Sequence, residues 1–279
     1  LPNNPPDKIY VGENIENTFD VVLELRNKGA FPQPEEGASP KGNIFLSGYD
    51  KNIIDFNVKE PKSGGKFVDL GKIALEGKST INPNGGQNIV SFEGKIAEPQ
   101  KLNVQKYEPT LLATICYNYE TVAGPSVCID PNPYSTIKEK KVCQAQGIAL
   151  SNQGAPVAVI RIDEEAFASK TQFRIAIKNV GNGDVIKPDL EKKCDPFGNE
   201  KLEREDIDKV FIEEVSIAGS PLSCGPFSEG GENVKGNSGH ARLINGEGSV
   251  ICELLKNDNE AYGSSKTAFT TPLKIKLKY

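Results

Sequence analysis

An all-β chain made of two tandem β-sandwiches is what this sequence predicts, and three observations carry the prediction. Short stretches alternate apolar and polar residues with the period of a half-buried strand. Clusters of Gly, Asn and Pro cut them to strand length, and the same cues recur in the same order in both halves of the 279 residues.

The most regular stretch is 171–183, TQFRIAIKNVGNG. Phe173, Ile175 and Ile177 alternate with Arg174, Ala176 and Lys178, so one face is apolar and the other largely charged. Asn179 to Gly183 then ends the strand, because Asn and Gly tolerate the positive φ of tight turns. Residues 19–29, FDVVLELRNKG, repeat the pattern with Leu23, Leu25, Arg26, Asn27 and Gly29 at matching steps. Two more cues follow in register: NPNGGQNIVSFE resembles INGEGSVICEL, and PTLLATICY resembles TPLKIKLKY. Three matches in order make tandem copies of one sandwich the economical reading.

In chain order, strands are expected at 19–26, 43–47 and 53–58, then a loosely alternating stretch at 67–75, a turn at 82–86 and a strand at 88–96. The stretch 109–119 places Leu111, Ala113, Ile115, Tyr117 and Tyr119 on one face and closes a first domain, 1–130, whose residues 1–18 form a proline-rich lead-in. Residues 131–142, Pro-rich and then charged, have the composition of a linker. The second domain, 143–279, is expected to hold strands at 156–162, 171–179 and 210–217, a short turn or loop at 200–209, and a Gly-rich loop at 225–239. A hairpin is expected at Asn245-Gly246. In the last strand Leu273, Ile275, Leu277 and Tyr279 face inward, while Lys274, Lys276 and Lys278 face outward and guard an edge.

A hydrophobic content of 37% and charged content of 25% are those of an ordinary globular chain long enough for two cores. The net charge of -5 gives no general attraction to nucleic acid or an anionic membrane surface, so neither is an expected partner. No run approaches the ~18 apolar residues of a membrane span, and no secretory leader stands at the start. The chain begins at Leu1 and contains no Met, which reads as a processed chain.

The six cysteines, Cys116, Cys128, Cys143, Cys194, Cys224 and Cys252, are widely spaced with no CxxC pair. An even count without closely spaced pairs favours disulfides over zinc, and an oxidising, extracytoplasmic compartment with them. Buried free thiols are the alternative. Of the 15 connectivities that six cysteines allow, the pairing of Cys116 with Cys128, Cys143 with Cys194 and Cys224 with Cys252 is the working expectation.

Reaction chemistry has little to stand on. His240 is the only histidine, in GNSGHARL, and no GxSxG elbow accompanies it, so a loop surface residue is the favoured reading over a catalytic one. Glu164, Glu165, Glu213 and Glu214 are explained as solvated strand faces, although two carboxylates brought ~5 to 9 Å apart would suit glycoside hydrolysis. Asp184 and Asp189, and Asp258 and Glu260, sit in oxygen-rich loops able to ligate calcium, but lack EF-hand spacing. The glycine-rich phrases lack the pattern of a phosphate loop, and there is no N-x-[ST] sequon. Catalytic, cofactor and metal residues are therefore expected to be absent, with calcium the one ion in question.

FDVVLELRNKGAF and QFRIAIKNVGNG, each a strand ending in a basic residue, Asn, one residue and Gly, resemble the repeats of CARDB-like immunoglobulin-type domains of prokaryotic surface proteins. PTLLATICYNYETVAGPSVCIDP and QGAPVAVIRI resemble secreted or cell-surface proteins of archaea. The resemblance implies two immunoglobulin-like sandwiches and an extracellular or cell-surface location. It brings no catalytic residues.

The expected function is non-enzymatic: a subunit of a surface filament, pilus-like appendage or surface layer that self-associates, with strand donation from the proline-rich lead-in as one route. The alternative is an adhesin or ligand-binding ectodomain with a cell-surface or host-cell partner.

Overall fold

The computed structural model describes residues 4–12, 17–33, 39–62, 65–97, 105–135, 141–229, 232–256 and 267–279. They are all-β and fall into two compact units, residues 1–118 with 189–202, and 119–188 with 203–279.

The first unit holds β1 (Thr18–Arg26), β2 (Gly42–Ser47), β3 (Ile54–Glu60), β4 (Phe67–Asp69), β5 (Gln87–Ile96) and β6 (Leu112–Tyr117). They form two antiparallel three-stranded sheets, ordered β1-β5-β3 and β4-β2-β6. Alternation decides which side chains turn inward. Val21 and Leu25, Ile54, Phe56 and Val58, and Val90 and Phe92 meet Ile44, Leu46 and Val68 in one core. The central strand β2 is buried at every residue, with Phe45 on its far face set against Phe67 at 5.6 Å between ring centroids.

The second unit holds β7 (Glu120–Ala123), β8 (Ser126–Ile129), β9 (Ile148–Ala149), β10 (Val157–Ala166), β11 (Lys170–Asn179), β12 (Lys209–Ile217), β13 (Ser220–Pro221), β14 (Ser223–Glu229), β15 (Glu232–Gly236), β16 (Gly239–Arg242), β17 (Glu247–Leu255) and β18 (Phe269–Lys278). One sheet runs β15-β14-β17-β11-β10-β9. The other runs β13-β12-β18-β7, with β16 on β12 and β8 on β18. Phe173, Ile175, Ile177, Ile212, Val215, Ile217, Leu273, Ile275 and Leu277 are all buried, as the period-2 pattern requires.

The two units repeat one six-strand connectivity. The pairings β1–β5, β5–β3, β2–β4 and β2–β6 recur as β11–β17, β17–β14, β12–β16 and β12–β18, in the same chain order. The matched asparagines behave alike. Asn27 N–H donates to the carbonyl of Gly86 at 2.9 Å and Asn179 N–H to that of Gly246 at 2.8 Å. Each Oδ1 also accepts the N–H of the glycine two residues on.

The boundaries differ from those expected. The chain leaves the first unit at Asn118, not at 130, because β7 and β8 pair with β18, and Tyr119 and Tyr279 exchange backbone hydrogen bonds of 2.8 and 3.2 Å. Of the expected linker 131–142, residues 136–140 lie outside the described residues. The flanking parts are held within the second unit by the Cys128–Cys143 disulfide and by a 2.6 Å Lys141–Asp130 ion pair. Residues 189–202 return to the first unit, where the 3-10 turn Glu191–Cys194 packs on β2 and β6.

All six cysteines are paired, as Cys116–Cys194, Cys128–Cys143 and Cys224–Cys252. The first two expected pairings are thereby corrected. Cys116 lies on β6 of the first unit and Cys128 on β8 of the second, whereas Cys194 belongs to the returning segment. The expected loop at 225–239 is instead largely the β14–β15 pair, and β18 is an inner strand rather than a guarded edge.

Candidate functional site

Strand β10, VAVIRIDEEA, shifts register against β11 between Val159 and Arg161. That irregularity sets the phase of the strand's second half: Ile162 points inward, and so does Glu164 two residues later. Glu164 is 6% exposed. Its Oε2 accepts the backbone N–H of Cys128 at 3.1 Å, while Oε1 has no hydrogen-bond partner among the described residues. Burial disfavours the charged form and pushes the carboxyl up to about 7, against the single N–H that pulls it down.

Glu164 lines a cavity of about 610 Å³ together with Asp130, Tyr134, Lys141, Glu165 and Phe167. Lys141 is already committed to Asp130 and to the carbonyl of Asn132 at 3.0 Å. The disulfide Cys128–Cys143 closes the loop from which Asp130, Tyr134 and Lys141 project. Chemically this is a desolvated carboxyl that is an acceptor when ionised and a donor when protonated. The reading of Glu164 as a solvated strand face is corrected here. The signal was present, since Glu164 is in phase with Ile162 while Arg161, Asp163 and Glu165 occupy the other face.

A smaller cavity of about 250 Å³ is lined by Gln172, Pro226, Val234, Lys235, Ile251 and Glu253. Glu253 there meets Lys170 at 2.7 Å and Lys235 at 3.6 Å. The Lys170 hydrogen bond, outweighing a partial loss of solvation, holds its carboxyl below the usual range.

The remaining candidates are dispersed. His240 lies on β16 with its ring centroid 5.1 Å from that of Phe211. Glu213 and Glu214 both face the outward lysines of β18, because Glu213 is the extra residue of a bulge between Ile212 and Glu214. Glu213 is paired with Lys278 and, at 3.0 Å, with Lys276, and Glu214 with Lys274 at 2.7 Å. Burial pushes Glu213 up, yet its lysine partners prevail and hold it low. Asp189 is engaged by Asn118 through hydrogen bonds of 2.9 and 3.1 Å, and Asp184 is exposed. Asp258 and Glu260 lie outside the described residues. Among the described residues no three His, Cys, Asp or Glu side chains are grouped to hold a metal ion.

One buried polar cluster was not signalled by any motif in the sequence. Thr121 Oγ1 donates to the carbonyl of Val157 at 2.6 Å and lies 3.1 Å from Tyr279 Oη, which accepts Val157 N–H at 3.1 Å. Tyr119 Oη donates to the carbonyl of Gly154 at 2.8 Å. Among the described residues no helix is long and apolar enough to cross a membrane. No protein-family model, curated protein or solved structure matches the chain.

Proposed function

We propose that the chain is a non-enzymatic structural subunit of an extracellular assembly, a filament, pilus-like appendage or surface layer, built from two immunoglobulin-like sandwiches in tandem. The observation that carries this reading is the repeated six-strand connectivity with every cysteine in a disulfide. Stapled sandwiches in series suit a load-bearing, protease-resistant element, and disulfides suit an oxidising compartment outside the cytoplasm. The resemblance of the two strand–Asn–x–Gly phrases to the CARDB-like repeats of prokaryotic surface proteins points the same way. Tyr119 and Tyr279, whose hydroxyls bond to backbone groups at 154 and 157 respectively, are in keeping with the tyrosine hydrogen bonds of immunoglobulin-like folds.

Electron microscopy of the native, unreduced protein taken from the surface fraction of its source tests this. Filaments or sheets with one chain per repeat are expected, and isolated particles at every concentration overturn it. Strand donation from residues 1–18 is tested by deletion, which leaves assembly intact only if the idea is wrong.

The second reading, a ligand-binding ectodomain, is favoured by the Glu164 cavity. A ligand-dependent rise in melting temperature that Glu164→Gln abolishes would establish it.

A further inference from the structure

The described cations around the Glu164 cavity are committed elsewhere. Lys141 is held by Asp130 at 2.6 Å and by the carbonyl of Asn132 at 3.0 Å, Lys170 by Glu253 at 2.7 Å, and Lys256 by the carbonyl of Pro131 at 2.7 Å. Glu164 and Glu165 both line the cavity, and neither has a cationic partner among the described residues.

Glu164 is the more demanding of the two. It is 6% exposed, its Oε2 is taken by the N–H of Cys128, and Oε1 has no hydrogen-bond partner among the described residues. A buried carboxyl oxygen without a donor has lost its hydration and gained nothing in exchange. A donor that also brings a positive charge restores the most, because charge-assisted hydrogen bonds are about twice as strong as neutral ones. A neutral hydroxyl would satisfy Oε1 but leave both carboxyl charges uncompensated.

The walls suit the remainder of such a ligand. Tyr134, Phe167, Pro133 and Ala166 offer apolar surface along which a short alkyl stem can lie while its charged end meets the carboxyls. Phe167 already takes a cation over its ring, with Lys170 Nζ 5.8 Å from the centroid.

We propose that this cavity binds the ammonium group of a primary amine, with Glu164 as its principal acceptor and Glu165 as a second, outer carboxylate. This rests on the ligand-binding ectodomain reading and names the chemistry of the ligand. Oε1 is closed to bulk water, and the soft terminal torsion of a glutamate side chain lets it turn toward an entering donor. The same ammonium group is carried by a free alkylamine and by the lysine side chain of a partner protein.

Binding is coupled to the proton on Glu164. The charged and titratable groups around it are Asp130, Tyr134 and Lys141 of the disulfide-closed loop, Glu165 of its own strand, and Lys170 at the start of β11. Burial pushes the Glu164 carboxyl up to about 7, and an ammonium is drawn to the ionised form alone. Apparent affinity therefore strengthens about tenfold per pH unit below ~6.5 and levels off above ~8, following the ionised fraction. A neutral ligand that accepts a hydrogen bond from the protonated carboxyl has the opposite slope.

Calorimetric titration of the intact, unreduced chain from pH 5 to 8 tests the proposal, with pentylammonium, its uncharged analogue N-pentylacetamide, a capped lysine peptide and glucose as probes. Pentylammonium is expected to bind with the rising slope and N-pentylacetamide to bind at least about tenfold more weakly. Glu164→Gln is expected to weaken pentylammonium at least about tenfold at pH 8 and to remove the slope. Its melting temperature serves as the fold control, and Glu165→Gln is expected to keep the slope with a smaller loss. Tighter binding of the lysine peptide than of pentylammonium assigns the site to a protein partner, and the reverse assigns it to a free amine. Pentylammonium binding no better than N-pentylacetamide, or unchanged in Glu164→Gln, overturns the ammonium site. Glucose bound in its place and lost in Glu164→Gln leaves the ectodomain reading standing, whereas no binding by any probe removes the support the cavity gives to that reading as well.

Discussion

Glu164 Oε2 accepts the backbone N–H of Cys128 over 3.1 Å, tying β10 of one sheet to β8 beside β18 of the other. The bond is charge-assisted, but the carboxyl is otherwise desolvated, and burial prevails, raising its pKa to about 7. A carboxyl whose folded-state pKa lies above its unfolded value favours the folded state most when protonated. Its contribution is therefore present below pH ~4.5 and is lost as pH rises toward 7. At ~1.4 kcal/mol per pKa unit this is on the order of 3 kcal/mol. Denaturant unfolding from pH 4 to 8 is expected to show that decline, and Glu164→Gln to flatten it and match or exceed the parent stability at pH 8.

The ladder on β18 has the opposite dependence. Burial pushes Lys276 down, but Glu120 and Glu213, each 3.0 Å away, outweigh it and raise its pKa, while the lysines hold Glu213 and Glu214 low. Depressed carboxylates stabilise above their unfolded pKa, and the gain is lost as pH falls below ~4.5. Lys276→Ala leaves Glu120 and Glu213 facing one another and is expected to cost about 1 to 2 kcal/mol. Lys274→Ala, at a more exposed pair, is expected to cost about 0.5 kcal/mol or less. Thermal unfolding of both variants at low and high salt checks the ranking, and the two converging with the parent at pH 3 checks the cause.

Both carboxyl results show where sequence patterning succeeds and stops. Alternation located the strands and their inward residues, from Phe173, Ile175 and Ile177 to Leu273, Ile275 and Leu277, because period 2 is a local property of the backbone. It also exposed the repeat through Asn27 and Asn179. What escaped it were effects of one irregular residue or of distant chain. The bulge at Glu213 turns two successive glutamates outward, whereas the inward phase of Glu164 follows that of Ile162 and is legible in the pattern. Strand β6 has an inward apolar face by pattern, yet Ile115 on that face is 43% exposed. The partner of Cys116 is 78 residues away, and no local signal announces that residues 189–202 return to the first unit. The 225–239 stretch has the composition of a loop because glycines obscure alternation, yet the β14–β15 ladder needs only backbone.

That returning segment is held by Cys116–Cys194 and by the Asn118–Asp189 pair, with Phe197 5.3 Å from Tyr49 between ring centroids. Closing a loop of 78 residues restricts the unfolded chain by about 4 kcal/mol, against about 3 kcal/mol for the 15-residue separation of Cys128–Cys143. The double variant Cys116→Ala/Cys194→Ala is expected to lose most, and to show faster amide exchange first at 189–202 with β10 and β11 still protected. Equal loss of protection throughout both units would show that the segment is not a local tie.

The matched asparagines make the sharpest internal comparison, because the same residue does the same work in two settings. Asn27 Nδ2 donates to the carbonyls of Phe31 at 2.8 Å and Leu75 at 2.9 Å, the latter far along the chain, whereas Asn179 Nδ2 donates only locally, to Gly183 at 2.9 Å. The first is half-buried and the second exposed at its bonds. Losing an amide that satisfies buried carbonyls costs their desolvation as well as the bond. Asn27→Ala is expected to destabilise by about 2 to 3 kcal/mol and Asn179→Ala by about 1 kcal/mol. Gly85, at φ +74, lies where an added Cβ would stand 1.9 Å from the carbonyl oxygen of Asn27, so Gly85→Ala is expected to reproduce the Asn27 effect from the other side of the turn. Chemical unfolding of the three variants, with the double Asn27→Ala/Gly85→Ala costing less than the sum of its parts, places both residues in one turn. Strict additivity would separate them.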